Sequence, residues 1–141
     1  MDDELVQLVW RRAGSCCEYC RHPRAFTNMA FQIDHIIARK HRGPTVARNL
    51  ALSCLVCNGH KGPNIAGIDP ASRKIVRLFH PRLHKWAYHF RWDGPELFGR
   101  TPIGRTTVEV LEINLPYRVD IRQVLMDEGV FPPRDIVTGP E

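Results

Sequence analysis

The sequence lacks any run of about 18 apolar residues, so no helix is expected to cross a bilayer. It also lacks an apolar stretch near its start. Met1, Asp2, Asp3 and Glu4 open the chain with acid, which argues against a secretory signal and for a cytoplasmic setting. No internal repeat or low-complexity block occurs. Charge of one sign is only mildly in excess: Lys plus Arg number 20 against 15 Asp plus Glu, a net +5. Such an excess favours a polyanionic partner without requiring one. Hydrophobic residues make up 43% and charged residues 25%, which excludes wholesale disorder. At 141 residues the chain suits one domain with a buried core.

What the sequence does have is five cysteines with no export signal, a combination that points to metal ligation in a reducing compartment rather than to disulfides. Cys17-x2-Cys20 and Cys54-x2-Cys57 form two such turns, separated by 33 residues. Each turn places two thiolates on one side of a tight loop, and two turns complete a tetrahedron around zinc. Soft thiolates favour zinc over magnesium, and four of them leave no open coordination position, so the expected Zn²⁺ is structural. A thioredoxin-like pair and an iron–sulfur cluster are the competing readings, and the missing βαβ pattern weighs against the first. Cys16 is the spare, expected to be a small buried residue.

Periodicity gives a coarse map. Asp2 or Asp3 caps an opening helix with Leu5, Leu8 and Val9 on one face, and Gly14 stops it. Residues 31–36 alternate as a half-buried strand, residues 39–48 form a basic loop, and residues 50–52 return as a short strand. The second cysteine turn leads into a helical turn over 58–61, ended by Gly62-Pro63. Further on, a strand is expected over 75–79, and another is expected where Trp86, Tyr88, Phe90 and Trp92 alternate. The glycines and prolines of 93–105 read as turns. Thr106 to Glu109 reads as a capping box that starts a helix running to about Asn114. Ile121, Val124 and Leu125 mark a last helix stopped by Gly129.

The residues between and after the cysteine turns carry the chemistry. Asp34-His35 closes the first strand. Asn49 follows His35 by 14 positions and Asn58 by 23, with Lys61 three residues later. In order, spacing and type, this resembles the HNH endonuclease family in its zinc-stapled branch: Cys17-Glu18-Tyr19-Cys20, Asp34-His35, Asn49-Leu50, then Cys54-Leu55-Val56-Cys57-Asn58-Gly59-His60-Lys61. The family's third letter is here Asn58 rather than histidine. The stretch from Leu78-Phe79-His80-Pro81-Arg82 through Trp86 and His89-Phe90 is similar to the extension of small stand-alone members.

The resemblance implies an α+β fold: a ββα-metal (HNH) finger over residues 13–62, stapled by the four-cysteine zinc site. An N-terminal helix and a strand/helix extension over 63–131 would pack on that finger within a single domain 1–141, with a loose tail over 132–141. It implies cleavage of DNA phosphodiesters, leaving 5′-phosphate and 3′-hydroxyl ends. His35 would be the general base, oriented through a side-chain amide bond from Asn49. Asp34 and Asn58 would hold a catalytic Mg²⁺ or Mn²⁺, and Lys61 would steady phosphate charge. These types suit the task, because an imidazole neutral near pH 7 accepts a water's proton and hard oxygens bind hard cations. Adjacent strand residues point to opposite faces, so the chain must end or bulge at Asp34-His35 for both to act together. Arg39, Lys40, Arg42, Arg48 and Arg82 are the candidate contacts to the backbone of DNA, expected to be double-stranded. Trp86, Tyr88, Phe90 and Trp92 are expected in the core rather than against bases. The rival readings are a catalytically inactive zinc-stapled nucleic-acid-binding module and a ring-type protein-interaction module.

Overall fold

A computed structural model describes residues 1–134 of the chain. The opening helix α1 spans Asp3–Arg12, with the Asp2 carboxylate accepting from the Leu5 amide at 2.8 Å as the expected cap. Val9 is buried, and Leu5, Trp10, Ala13, Leu50, Leu52 and Ile33 complete a small core with it. Gly14 takes φ 61 and turns the chain into the first cysteine loop.

Strands β1 (Phe31–His35) and β2 (Leu50–Cys54) pair antiparallel in unbroken register, Asp34 opposite Ala51 and His35 opposite Leu50. Helix α2 (Leu55–Lys61) follows β2 directly, capped by the Cys54 sulfur accepting from the Cys57 amide. This ββα unit is the mixed α+β core the sequence implies, with β2 and α2 each longer than the sequence suggests. The whole of β2 is buried. Between β1 and β2 the chain makes two 3-10 turns, and at Gly43 it runs so close to the Ile37 carbonyl that a Cβ would lie 1.6 Å from the oxygen. Only glycine fits at that crossing.

Two more hairpins follow. β3 (Ala66–Ile68) pairs with β4 (Ile75–Arg77), and β5 (Phe90–Asp93) pairs with β6 (Glu96–Gly99). The short helix α3 (Trp86–His89) precedes β5, and helices α4 (Pro102–Val110) and α5 (Pro116–Asp127) close the fold. The larger core forms around the paired cysteine turns: Tyr19, Ile36, Leu78, Phe79, Trp86, Phe90, Leu111 and Ile113 cluster with Cys17, Cys20, Cys54 and Cys57. No helix among the described residues is long and apolar enough to cross a membrane.

Several expectations are corrected. Trp86 and Tyr88 lie in α3, and only Phe90 and Trp92 of the aromatic series lie on a strand. Trp86 and Phe90 are core, whereas Tyr88 is 68% exposed. Alternation and a short helical turn run into one another over so few residues, and the apolar pattern alone does not separate them. Within the stretch read as turns, Glu96–Gly99 is a strand, because Gly94 at φ 56 closes a tight hairpin instead of a longer loop. Helix α4 starts at Pro102 with Thr101 as its cap, its Oγ1 accepting from the Gly104 amide at 3.0 Å, while Thr106 and Thr107 are buried within the helix. In α5 the buried residues are Arg118, Arg122 and Leu125, and Ile121 and Val124 face outward. The tail expected to be loose lies, beyond residue 134, outside the described residues.

The β3–β4 turn is held by Asp69, a buried carboxylate that receives two bonds from the Arg105 guanidinium (3.0 and 2.9 Å) and more from Ala71 and Ser72. The Arg105 bonds, helped by those from Ser72 and Ala71, hold its pKa well below the ordinary 3.8 despite the cost of burial. A depressed folded pKa supplies stability that is present above the unfolded value and is lost as pH falls from there through the folded value. Asp69→Asn is therefore expected to lower the melting temperature at pH 7, with the gap from the parent narrowing as pH drops below about 3.8, read by thermal unfolding across pH.

Candidate metal and catalytic site

The four sulfurs of Cys17, Cys20, Cys54 and Cys57 all lie within 4.8 Å of one another, and every one of the four residues is buried. The Cys20 and Cys54 sulfurs are 3.8 Å apart. A tetrahedral site with zinc–sulfur bonds of about 2.3 Å has edges close to that separation, so the donor set fits zinc. Arg118 from α5 donates through Nη2 to the Cys57 sulfur at 3.0 Å, offsetting part of the negative charge four thiolates would concentrate there. Cys16 is buried outside this cage, as expected.

The first cysteine turn is sewn to β2. The Glu18 amide donates to the Leu52 carbonyl at 2.9 Å, and the Leu52 amide donates to the Glu18 carboxylate at 2.8 Å. Arg82 closes an ion pair on the other oxygen of that carboxylate, and both partners are buried. This corrects the expectation for Arg82 as a contact to DNA. Its guanidinium faces Glu18 inside the protein, because a fully buried carboxylate demands a compensating charge.

Asp34, on β1, is 6% exposed. Its Oδ2 accepts from the Tyr19 hydroxyl at 2.8 Å and lies 3.1 Å from the Lys61 ammonium, which also reaches Oδ1 at 3.3 Å. Burial pushes the Asp34 carboxyl up from its ordinary value, and Lys61 and Tyr19 pull it back in part. Lys61 is itself buried and donates in addition to the carbonyls of Ile36 (3.1 Å) and His35 (3.4 Å). The expectation that Lys61 steadies a phosphate is thus corrected. Its ammonium is turned inward to Asp34 and the backbone, where a buried carboxylate draws the nearest cation.

His35 is the last residue of β1, where the strand ends without a bulge. Its Nε2 is 2.9 Å from the Thr45 hydroxyl, and Arg39 donates to the same oxygen at 3.1 Å. Partial burial and the Arg39 charge lower its pKa from the ordinary 6.5, which favours neutral imidazole. The expected amide bond from Asn49 to His35 is not formed. Asn49 accepts from the Ile37 amide at 2.9 Å and donates to the carbonyls of Ile37 (3.0 Å) and Pro44 (2.8 Å), so it pins the loop that carries Thr45. An asparagine one residue before a strand is well placed to tie a loop's backbone, which offers both amides and carbonyls.

Asp34, His35, Arg39 and Asn58 line one open cleft of about 230 Å³ with Ile33, Ala38, Gly62 and Pro63. A carboxylate and a carboxamide on one cleft are hard oxygen donors of the kind that hold Mg²⁺ or Mn²⁺ with water and phosphate oxygens. Arg39, Lys40, Arg42 and Arg48 are all exposed on the loop after His35. His60 is engaged elsewhere, pairing with Glu112 at 2.7 Å. Three contributors are not legible from spacing. Thr45 sits in a loop with no motif of its own. Arg118 lies in a stripe read by its apolar neighbours. Tyr19 stands between two ligands and draws no separate attention.

Residues 17–64 match the family model described as HNH endonuclease. No curated protein and no solved structure matches the chain.

Proposed function

We propose that the HNH endonuclease domain carried by residues 17–64 makes this chain a divalent-metal-dependent nuclease that hydrolyses phosphodiester bonds in double-stranded DNA, in the cytoplasm, with His35 as general base. The observation that carries this reading is the convergence of Asp34, His35 and Asn58 on one open cleft beside an exposed basic loop.

Asp34 and Asn58 are the residues to hold the cation. They supply only two protein side chains, which suits an ion that keeps water and takes substrate oxygens. Bound there, Mg²⁺ or Mn²⁺ supplies charge neutralisation at the phosphate and at the departing 3′ oxygen. The rest is done by the chain. Thr45 accepts from Arg39 and holds the His35 ring through Nε2 at 2.9 Å. The tautomer with the proton on Nε2, donated to Thr45, is the one that leaves Nδ1 bare to take a proton from the attacking water. Asn49 keeps Thr45 in place by holding Ile37 and Pro44. Arg39, Lys40, Arg42 and Arg48 grip backbone phosphates, so binding weakens steeply with salt. Lys61 serves by fixing Asp34 rather than by touching substrate.

Supercoiled plasmid incubated with the protein in Mg²⁺ or Mn²⁺ is expected to become nicked, with 5′-phosphate and 3′-hydroxyl ends on sequencing, and to stay intact in EDTA. Salt-dependent binding with no nicking in either metal would instead identify a zinc-stapled nucleic-acid-binding module.

A further inference from the structure

Tyr19 is fully buried, yet its hydroxyl is spent on a carboxylate assigned to substrate chemistry rather than on the core around it. We infer that Tyr19 is a positioning residue for the catalytic cation, through which the cysteine turn sets the aim of Asp34; this rests on the reading of Asp34 as a ligand. Tyr19 lies between Cys17 and Cys20, so closing the sulfur cage fixes its backbone. Its carbonyl accepts from the Trp86 indole at 2.9 Å, and its ring meets Phe79 edge-on at 6.5 Å. The neighbouring Glu18 ties the same turn to Leu52 on β2, one residue from the Ala51 that faces Asp34 across the hairpin. The hydroxyl therefore approaches Asp34 from a turn fixed at the cage and at the hairpin.

The chemistry of the contact is specific. Tyr19 binds Oδ2 at 2.8 Å, and the Lys61 contact there is also shorter than the one to Oδ1, 3.1 against 3.3 Å. Oδ2 thus carries two contacts, from Tyr19 and Lys61, and Oδ1 only the longer one from Lys61, which makes Oδ1 the less engaged of the two. A carboxylate turns readily about its last bond unless hydrogen bonds lock it. Without the hydroxyl, Lys61 alone spans both oxygens and no longer selects a rotation. Partners behind a ligand commonly govern metal affinity for this reason.

The test is Mn²⁺ binding to the zinc-loaded chain, followed by electron paramagnetic resonance of free Mn²⁺, with the metal-activation curve of nicking measured alongside. Tyr19→Phe is expected to keep its zinc, bind Mn²⁺ about 10- to 100-fold more weakly, and recover most of its nicking rate at saturating metal. Trp86→Phe is the control for general loosening. It removes the bond to the Tyr19 carbonyl but touches no donor in the cleft, so it should lower the melting temperature and leave Mn²⁺ affinity alone. Parent-like Mn²⁺ affinity in Tyr19→Phe overturns the inference while the assignment of Asp34 stands. So does an equal loss in Trp86→Phe, or a Tyr19→Phe chain that loses zinc or fails to fold, since the hydroxyl then serves the architecture alone. Parent-like affinity in Asp34→Ala removes the assignment beneath it.

Discussion

His35→Ala is expected to slow plasmid nicking by about 10²- to 10⁴-fold, the usual contribution of a positioned general base. Zinc content and melting temperature should scarcely move. The side chain is only partly buried, and its partner Thr45 also bonds to Arg39. The strand register at His35 depends on backbone pairing with Leu50, which alanine retains. Mn²⁺ affinity should also persist, because Asp34 and Asn58 are untouched. Nicking at the parent's rate by a folded His35→Ala chain defeats the assignment of the base. A parallel fall in melting temperature would show that the imidazole is part of the packing instead.

Cys57→Ser is expected to act in the opposite way, through folding first. The sulfur sits in the buried cage at the start of α2 and accepts the Arg118 bond. Binding of structural zinc to a four-thiolate site couples directly to folding, with apparent free energies of about 10–16 kcal/mol in small zinc-folded units. A whole domain of this size is stable by only about 5–15 kcal/mol, so losing even part of that coupling is enough to unfold it. The variant should carry little zinc and show no cooperative melt, by elemental analysis and circular dichroism. The parent should lose its melt when zinc is chelated during heating. A parent that holds no zinc yet melts cooperatively would defeat the cage. Together the two variants separate the roles: one inactive with its zinc, the other without zinc and without a fold.

Much of this arrangement is written in short-range pattern. The cysteine turns, the Asp2 cap and the strand at β1 each follow from local chemistry, and the structure bears them out, although the buried residue of β1 is the polar Asp34. The ββα order is legible too, as a strand, a return strand and a helical turn ended by Gly62-Pro63. What escapes the sequence is long-range and polar. The partner of Glu18 is 64 residues away at Arg82, and Arg118 reaches Cys57 across 61. No spacing rule links such pairs. α5 shows the same limit. Its apolar residues mark the helix and Leu125 is buried on it, but the rest of its buried face is Arg118 and Arg122, whose charge is matched by carbonyls and sulfur, as when Arg122 donates to the carbonyls of Pro95 (2.7 Å) and Ile113 (3.0 Å). An apolar count does not find those two. Asn49 and Lys61 stand out in the sequence as polar residues near the Asp34-His35 pair, but their partners depend on side-chain directions that periodicity does not fix.

The Glu18–Arg82 pair, the Trp86 bond to Tyr19 and the Arg118 bond to Cys57 all join residues inside the matched stretch to residues beyond it. Transplanting residues 17–64 into a foreign scaffold would therefore carry across an anion, a carbonyl and a sulfur stripped of their counterparts. A chimera that keeps its shape has to inherit the downstream half along with the finger.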